Sequence, residues 1–123
     1  MSSSLRILLV DDNVMNVEFC RDVLEADGHS VTVEGDGVLA RDRALAETFD
    51  VLLLDIQLPR LDGYALCRSL RASGIDRPIL ALSSNAMPDH IRRGAEAGFD
   101  EYLTKPISPV AIRAAVRRHA NPA

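Results

Sequence analysis

The strongest constraint in this sequence is an alternation of five short apolar runs with longer segments of helical period. The runs are 5-LRILLV-10, 30-SVTVE-34, 51-VLLL-54, 78-PILAL-82 and 101-EYLT-104, and the helical segments cover about 14–27, 37–48, 62–72, 88–97 and 109–119. Strands that are apolar along most of their length must be buried on both faces. A parallel sheet covered by helices front and back does this. Turn signals separate the segments at Asp27-Gly28, Gly35-Asp36-Gly37, Asp62-Gly63 and Ser73-Gly74. Ser108-Pro109 reads as an N-cap followed by proline at the first helical position. In the first helical segment Val14, Val17, Cys20 and Leu24 fall at helical spacing, opposite Glu18, Arg21, Asp22 and Glu25. That apolar stripe is expected to face the sheet. The reading is one α/β domain of five βα units over residues 1–123, with no linker, repeat or low-complexity segment.

Size and charge remove other classes. A chain of 123 residues holds one domain with a substantial core. Its 47% apolar and 26% charged residues are those of an ordinary globular protein. The net charge of −4, with both signs interspersed, argues against a nucleic-acid partner or a membrane surface, which favour a basic face. Arg113, Arg117 and Arg118 lie near the end of the last helix and read as a solvated face that also suits the helix dipole. The apolar run after the first residues is too short for a signal peptide, and nothing approaches a transmembrane span. Cys20 and Cys67 sit in apolar helical patterns and read as small buried hydrophobes in a reducing compartment. His29, His90 and His119 are scattered and form no ligand set. A cytoplasmic location is expected.

The polar residues sort by strand end. In open α/β sheets, ligands bind beyond the carboxyl ends of the strands, at the switch point in strand order. The first strand ends in Asp11-Asp12-Asn13, the third in Asp55, the fourth in Ser83-Ser84-Asn85 and the fifth in Thr104-Lys105-Pro106. With strand order 2-1-3-4-5 the first and third strands straddle the switch, and these groups converge on one shallow pocket. Three carboxylates repel one another unless a cation joins them. An incomplete cage of hard oxygen ligands suits Mg²⁺, with Mn²⁺ a possible substitute, better than zinc or calcium. An aspartate beside that cation can attack phosphorus and form an aspartyl phosphate. Phosphoryl transfer needs charge neutralisation and positioning, and Mg²⁺, Lys105 and the Ser83 hydroxyl could each take one phosphoryl oxygen. Taken singly, Asp11 or Asp12 would be a helix cap, Ser83 a turn residue and Lys105 a surface charge. Their conjunction, in order and each just after a strand, carries the reading.

At these residues the chain resembles the receiver domain of two-component response regulators, across essentially its whole length. The resemblance implies a flavodoxin-like (βα)5 doubly wound parallel sheet. It places the acid pair at Asp11 and Asp12, the phosphoacceptor Asp55 in 55-DIQLPRLDG-63, the hydroxyl Ser83 in 81-ALSSNAMP-88, and Lys105 in 104-TKPIS-108. It also makes Tyr102 an aromatic switch residue. Carried over, Asp12, Asp55 and the backbone carbonyl of Gln57 would ligate Mg²⁺ directly, and Asp11 would act mainly through water. Lys105-Pro106 is expected to be cis, a form that only proline makes accessible. Ser83 departs slightly from the family, in which threonine is commoner. The wording DDNVMN, DIQLP and KPIS is similar to receivers of hybrid histidine kinases and of stand-alone single-domain regulators.

Three other readings compete with this one. Residues 35-GDGVLA-40 satisfy the G-x-G-x-x-A spacing of a dinucleotide site, with Asp55 near the distance at which an acid would meet the ribose. Against this, Asp36 would face a pyrophosphate with a negative charge, and Asp11, Asp12, Ser83 and Lys105 would go unexplained. The blander reading is that Gly35 and Gly37 let the chain turn. A phosphatase forming an aspartyl phosphate would want a second acid two residues after the nucleophile, where Gln57 stands. A phosphate-independent adaptor on the same fold would not need the intact acids, hydroxyl and lysine.

With the sequence running to Ala123, no output domain is expected, and the Met-Ser-Ser-Ser start and charged last helix lead one to expect a complete small protein over an excised domain. The signal is therefore expected to leave by binding. Phosphorylation would draw Ser83 toward the phosphoryl group, and Tyr102 would move inward into the vacated space. This would bias the surface of the fourth helix, fifth strand and fifth helix toward a downstream protein target. The phosphoryl donor would be a sensor histidine kinase or a histidine phosphotransfer protein. From the resemblance, Asn16, Phe19 and Ile107 are expected to line its docking face, with Cys20 in the core.

Overall fold

The computed structural model describes residues 4–120; the Met1–Ser3 start and the final residues through Ala123 lie outside them. The elements run β1 (Arg6–Val10), α1 (Val14–Ala26), β2 (Ser30–Glu34), α2 (Gly37–Ala46), β3 (Val51–Asp55), α3 (Gly63–Ala72), β4 (Ile79–Ser83), α4 (Pro88–Ala97), β5 (Glu101–Thr104) and α5 (Pro109–Ala120). The strands form one parallel sheet in the order β2-β1-β3-β4-β5. The strands lie within a residue of their expected ends. Helix α2 stops two residues early, because Glu47 turns out of helical geometry and its carboxylate meets Arg6 and Arg43 at 2.7 and 2.9 Å.

Side chains alternate across the sheet, so each central strand supplies two cores. Leu8, Val10, Leu52, Leu54, Ile79 and Ala81 face one side and pack with Ala40, Ala44, Leu66, Leu70 and Ala97 of α2, α3 and α4. Ile7, Leu9, Val51, Leu53, Leu80 and Leu82 face the other and pack with Cys20, Leu24, Ile112 and Val116 of α1 and α5. Leu52, Leu53 and Leu54 are at most 2% exposed. Burying each stabilises the fold by about 1.5–3 kcal/mol. This is the physical content of the run VLLL.

Local chemistry sets the helix ends. Asn13 Oδ1 accepts the Asn16 N–H at 3.0 Å, and Asp62 Oδ1 accepts that of Ala65 at 2.9 Å, each closing a helix N-terminus. Ser108 Oγ accepts the Ala111 N–H at 3.0 Å ahead of Pro109, as the sequence leads one to expect. The stripe on α1 needs a correction. Val14 is 68% exposed, and the buried face is Cys20, Val23 and Leu24, with Val17 half-buried. Helix α1 begins beyond the carboxyl end of β1, so Val14 stands clear of the sheet and Val17, three residues on, is the first of the stripe to pack against the core. The basic end of α5 is also more than a solvated face. Arg113 and Arg117 stand 3.3 and 3.9 Å from Asp27 carboxylate oxygens, and Arg118 and His119 pair with Glu101 of β5.

Candidate functional site

Among the described residues the buried polar side chains are Asp11, Asp55 and Ser83, each at the carboxyl end of its strand. They lie where the topology reverses, with β1 and β3 adjacent and their crossovers on opposite sides. One carboxylate oxygen from each of Asp11, Asp12 and Asp55 falls within a group whose members are all within 4.8 Å of one another. Asp11 and Asp55 are buried, and Asp12 faces solvent. Lys105 Nζ stands 3.3 Å from Asp11 Oδ2 and 3.3 Å from Asp55 Oδ2, balancing one of the three negative charges. Burial first, and then the neighbouring Asp11 charge, push the Asp55 carboxyl up to about 6, against the pull of Lys105. All-oxygen donors with excess negative charge and one open side fit a hard divalent cation such as Mg²⁺.

The backbone holds these groups in place. The Asp11 N–H donates to the Glu34 carbonyl at 3.0 Å, and Asp11 Oδ1 accepts the Asn13 N–H at 2.9 Å. Neither acid of the pair caps α1, because Asn13 does. Asp55 Oδ1 accepts the Gln57 N–H at 3.2 Å. A Cβ on Gly63 would lie 2.4 Å from the Asp55 carbonyl, so only glycine lets α3 start so close to the tip of β3. The Lys105 N–H donates to the Ser83 carbonyl at 2.7 Å, tying the lysine to β4, and the Lys105-Pro106 bond is cis. Ser83 Oγ accepts the Asn85 N–H at 3.1 Å.

Tyr102 is half-buried, with its hydroxyl donating to the Asn85 carbonyl at 2.9 Å and lying 3.4 Å from the Tyr64 hydroxyl. The ring is thus anchored on the segment between β4 and α4, two residues beyond Ser83. Gly94 of α4 leaves the space for it. Tyr64 and Gly94 are not among the residues expected from the sequence. Nothing local marks them. Tyr64 also carries the Arg93 guanidinium over its ring at 4.3 Å, and burial and the Tyr102 contact push its hydroxyl up to about 12. A cleft of about 350 Å³ opens between Gln57, Tyr64, Ser83, Asn85 and Arg93.

A second recess, of about 220 Å³, is lined by Asn16, Phe19, Cys20, Ile107, Lys105 and Asp11. It brings together the three residues expected on the docking face, beside two site residues. Cys20 reaches the recess but is only 3% exposed, and burial pushes its thiol up to about 11, as burial does for Cys67. The turn at 35–37 and the start of α2 do not present free amides to a pyrophosphate. Their amides are already used, those of Val38 and Leu39 by Asp36 and that of Gly37 by the Pro59 carbonyl. No helix among the described residues is long and apolar enough to cross a membrane.

Comparison with known proteins agrees with this geometry. The family model for the response regulator receiver domain matches residues 7–117. Response regulator MprA of Mycobacterium tuberculosis is 41% identical over 114 residues, which are 93% of this chain and 50% of that protein. MprA of Mycobacterium leprae is 40% identical over 113 residues, 92% of this chain and 50% of the relative. The chain thus spans about half the length of these curated relatives. Among solved structures, the receiver domain of sensor histidine kinase PA1611 from Pseudomonas aeruginosa, which has a magnesium ion coordinated in its active site cleft, superposes with a TM-score of 0.88 at 34% identity, covering 96% of this chain and 98% of that one. Chemotaxis protein CheY4 of Vibrio cholerae gives a TM-score of 0.89 at 25% identity over 95% of this chain and 99% of that one. On fold, site geometry and sequence together, the chain belongs to the receiver domains of two-component response regulators.

Proposed function

We propose that this chain is a phosphorylation-dependent switch in which Asp55 accepts a phosphoryl group from a phosphohistidine. The observation that carries the reading is the grouping of Asp11, Asp12 and Asp55 within 4.8 Å, with Lys105 3.3 Å from two of them. Asp12, Asp55 and the Gln57 carbonyl would hold Mg²⁺, with Asp11 acting through water. When bound, the ion supplies the positive charge that phosphoryl oxygens require. The PA1611 receiver, with magnesium in its cleft, supports that choice.

Asp55 attacks phosphorus through a carboxylate oxygen. A P–O bond forms and the P–N bond of the phosphohistidine breaks. The imidazole nitrogen keeps the bonding pair and takes up a proton. Lys105 and the Ser83 hydroxyl stand at the ends of β5 and β4 to receive phosphoryl oxygens. The donor, a sensor histidine kinase or histidine phosphotransfer protein, would dock over Asn16, Phe19 and Ile107. Ser83 and Tyr102 would pass the change to the surface of α4, β5 and α5, where a downstream protein binds. The chain works on its own aspartate and turns over no external substrate, apart from slow self-hydrolysis. A cytoplasmic location belongs to the same reading.

The test is incubation with Mg²⁺ and acetyl phosphate, or with a cognate kinase, followed by intact-mass measurement. One phosphoryl adduct is expected in the wild type and none in Asp55→Asn. No adduct from either donor would sink the reading in favour of a phosphate-independent adaptor, and its retention in Asp55→Asn would sink Asp55 as the acceptor.

A further inference from the structure

The polar groups of the Gly35-Asp36-Gly37 turn are committed to another part of the chain. Asp36 Oδ1 accepts the N–H groups of Val38 and Leu39 at 2.8 and 3.0 Å and so caps α2. The same carboxylate receives the guanidinium fork of Arg60, with Nη2 2.9 Å from Oδ1 and Nε 2.5 Å from Oδ2. Next to it the Gly37 N–H donates to the Pro59 carbonyl at 3.2 Å. A Cβ on Gly37 would fall 1.9 Å from the Leu61 carbonyl oxygen. The first turn of α2 therefore grips three consecutive residues, Pro59, Arg60 and Leu61, in the middle of the loop joining Asp55 to α3.

Arg60 holds a φ of 66°, the one left-handed non-glycine residue among those described. That conformation is unfavourable for a residue with a side chain, and glycine would adopt it freely. What sets this arginine apart from a glycine there is what its side chain reaches. It reaches Asp36, whose carboxyl it holds down at about 2.

We propose that Asp36 and Arg60 form a positioning clamp that fixes the loop of residues 56–62 against α2, so that the Gln57 carbonyl stays beside Asp55 to receive a divalent cation. The clamp rests on the receiver reading and adds to it. Both are positioning residues, since neither touches the carboxylate group. Besides the Gly37–Pro59 bond and the packing of Leu58 and Leu61 against the core, the loop's hydrogen bonds to the fold are at its ends. Gln57 donates to Asp55 at 3.2 Å, and the Gly63 N–H donates to the Ile56 carbonyl at 2.8 Å. Between them the chain has a local bond from the Leu61 N–H to the Pro59 carbonyl at 2.8 Å, which holds the turn's shape but does not tie it to the rest of the fold.

The test uses the full chain as wild type, Arg60→Gly, Asp36→Asn and the double variant. Asparagine still caps a helix and glycine is at ease at positive φ, so both changes remove the clamp without removing the cap or straining the backbone. Mg²⁺ affinity is measured by calorimetry without phosphoryl donor, and amide exchange is followed by mass spectrometry. Each single variant is expected to weaken Mg²⁺ binding about threefold to tenfold, at or below the lower end for groups that orient metal ligands, because the Arg60 side of the pair is 56% exposed. Exchange should quicken within 56–62 while the amides of β1 and β3 keep their protection. The double variant should be no weaker than the weaker single one, since both remove the same contact. Mg²⁺ affinity within about twofold of wild type in both single variants, or loosening spread into β1 and β3, would overturn the clamp alone. A wild-type chain that binds no Mg²⁺ and takes up no phosphoryl group would overturn the receiver reading, and the clamp with it.

Discussion

Gly94 of α4 lies directly against the ring of Tyr102 on β5: a Cβ added at Gly94 would stand 2.9 Å from Tyr102 Cδ2. Glycine inside a helix costs about 1 kcal/mol relative to alanine, so this position gives up helix stability for room. The room is what lets Tyr102 lie inward with its hydroxyl on the Asn85 carbonyl. Gly94→Ala should gain about 1 kcal/mol in propensity and lose about 1–3 kcal/mol to overpacking. The expected result is a slightly lower Tm and a Tyr102 side chain more open to acrylamide quenching. Unchanged quenching would show that the ring does not depend on Gly94.

Tyr64 is the second polar partner of that ring. Its hydroxyl donates to the His90 carbonyl at 3.2 Å and meets the Tyr102 hydroxyl at 3.4 Å. Tyr64→Phe should cost about 0.5–1.5 kcal/mol in urea unfolding. It should also raise the population of Tyr102 rotated away from Asn85, as read by side-chain NMR of the remaining tyrosine.

The raised Asp55 carboxyl makes stability depend on pH, with a definite sign. It ionises near 6 in the folded chain and near 3.8 ordinarily, so the folded state holds the proton more tightly than the unfolded one. Its contribution is fully present below the unfolded value and is lost as pH rises through about 6. Without divalent cation, stability should fall by about 1–3 kcal/mol between about pH 4 and pH 7 from this group. Asp55→Asn should flatten that fall and be the more stable protein at neutral pH, as measured by urea unfolding in EDTA. Mg²⁺ affinity should drop below about pH 6, where protons compete for the same oxygens.

Phe19 is 38% exposed and lines the recess beside Lys105 with Asn16 and Ile107. Aromatic anchors of this kind carry a large share of interface energy. Phe19→Ala should lower the ratio of phosphorylation rate from a phosphohistidine protein to that from acetyl phosphate by about tenfold. An unchanged ratio would move the docking face elsewhere.

At the opposite end of the sheet, Arg71 of α3 is a structural hub. Its guanidinium donates twice to the Gly98 carbonyl, at 3.0 and 2.8 Å, and also to the carbonyls of Ile75 and Arg77 and to Asp100. The side chain is 23% exposed, so these bonds are partly shielded. Arg71→Ala should cost about 2–4 kcal/mol in equilibrium unfolding while leaving Mg²⁺ affinity unchanged.

The strands, the helices and the order of the site residues were legible in the sequence because each is written locally. Burial on one or both faces leaves a period of 2 or 3.6, caps sit within three residues of what they cap, and Asp11, Asp55, Ser83 and Lys105 each follow an apolar run. The inner stripe of α1 was misjudged at Val14 because periodicity says which residues share a face and not where the sheet beneath that face ends. The pairings that shape the site were not legible. Tyr64 and Tyr102 are 38 residues apart, Asp36 and Arg60 are 24 apart, and Lys105 and Asp11 are 94 apart. A tyrosine on a helix or an arginine in a turn has the same local pattern whether or not it has a distant partner. The sequence by itself determined which stretches are strands and helices and which polar groups follow the strand tips. Only the tertiary structure decided which of those groups touch, because contact between distant residues follows from how the strands are ordered and how closely the backbone can approach at Gly37, Gly63 and Gly94.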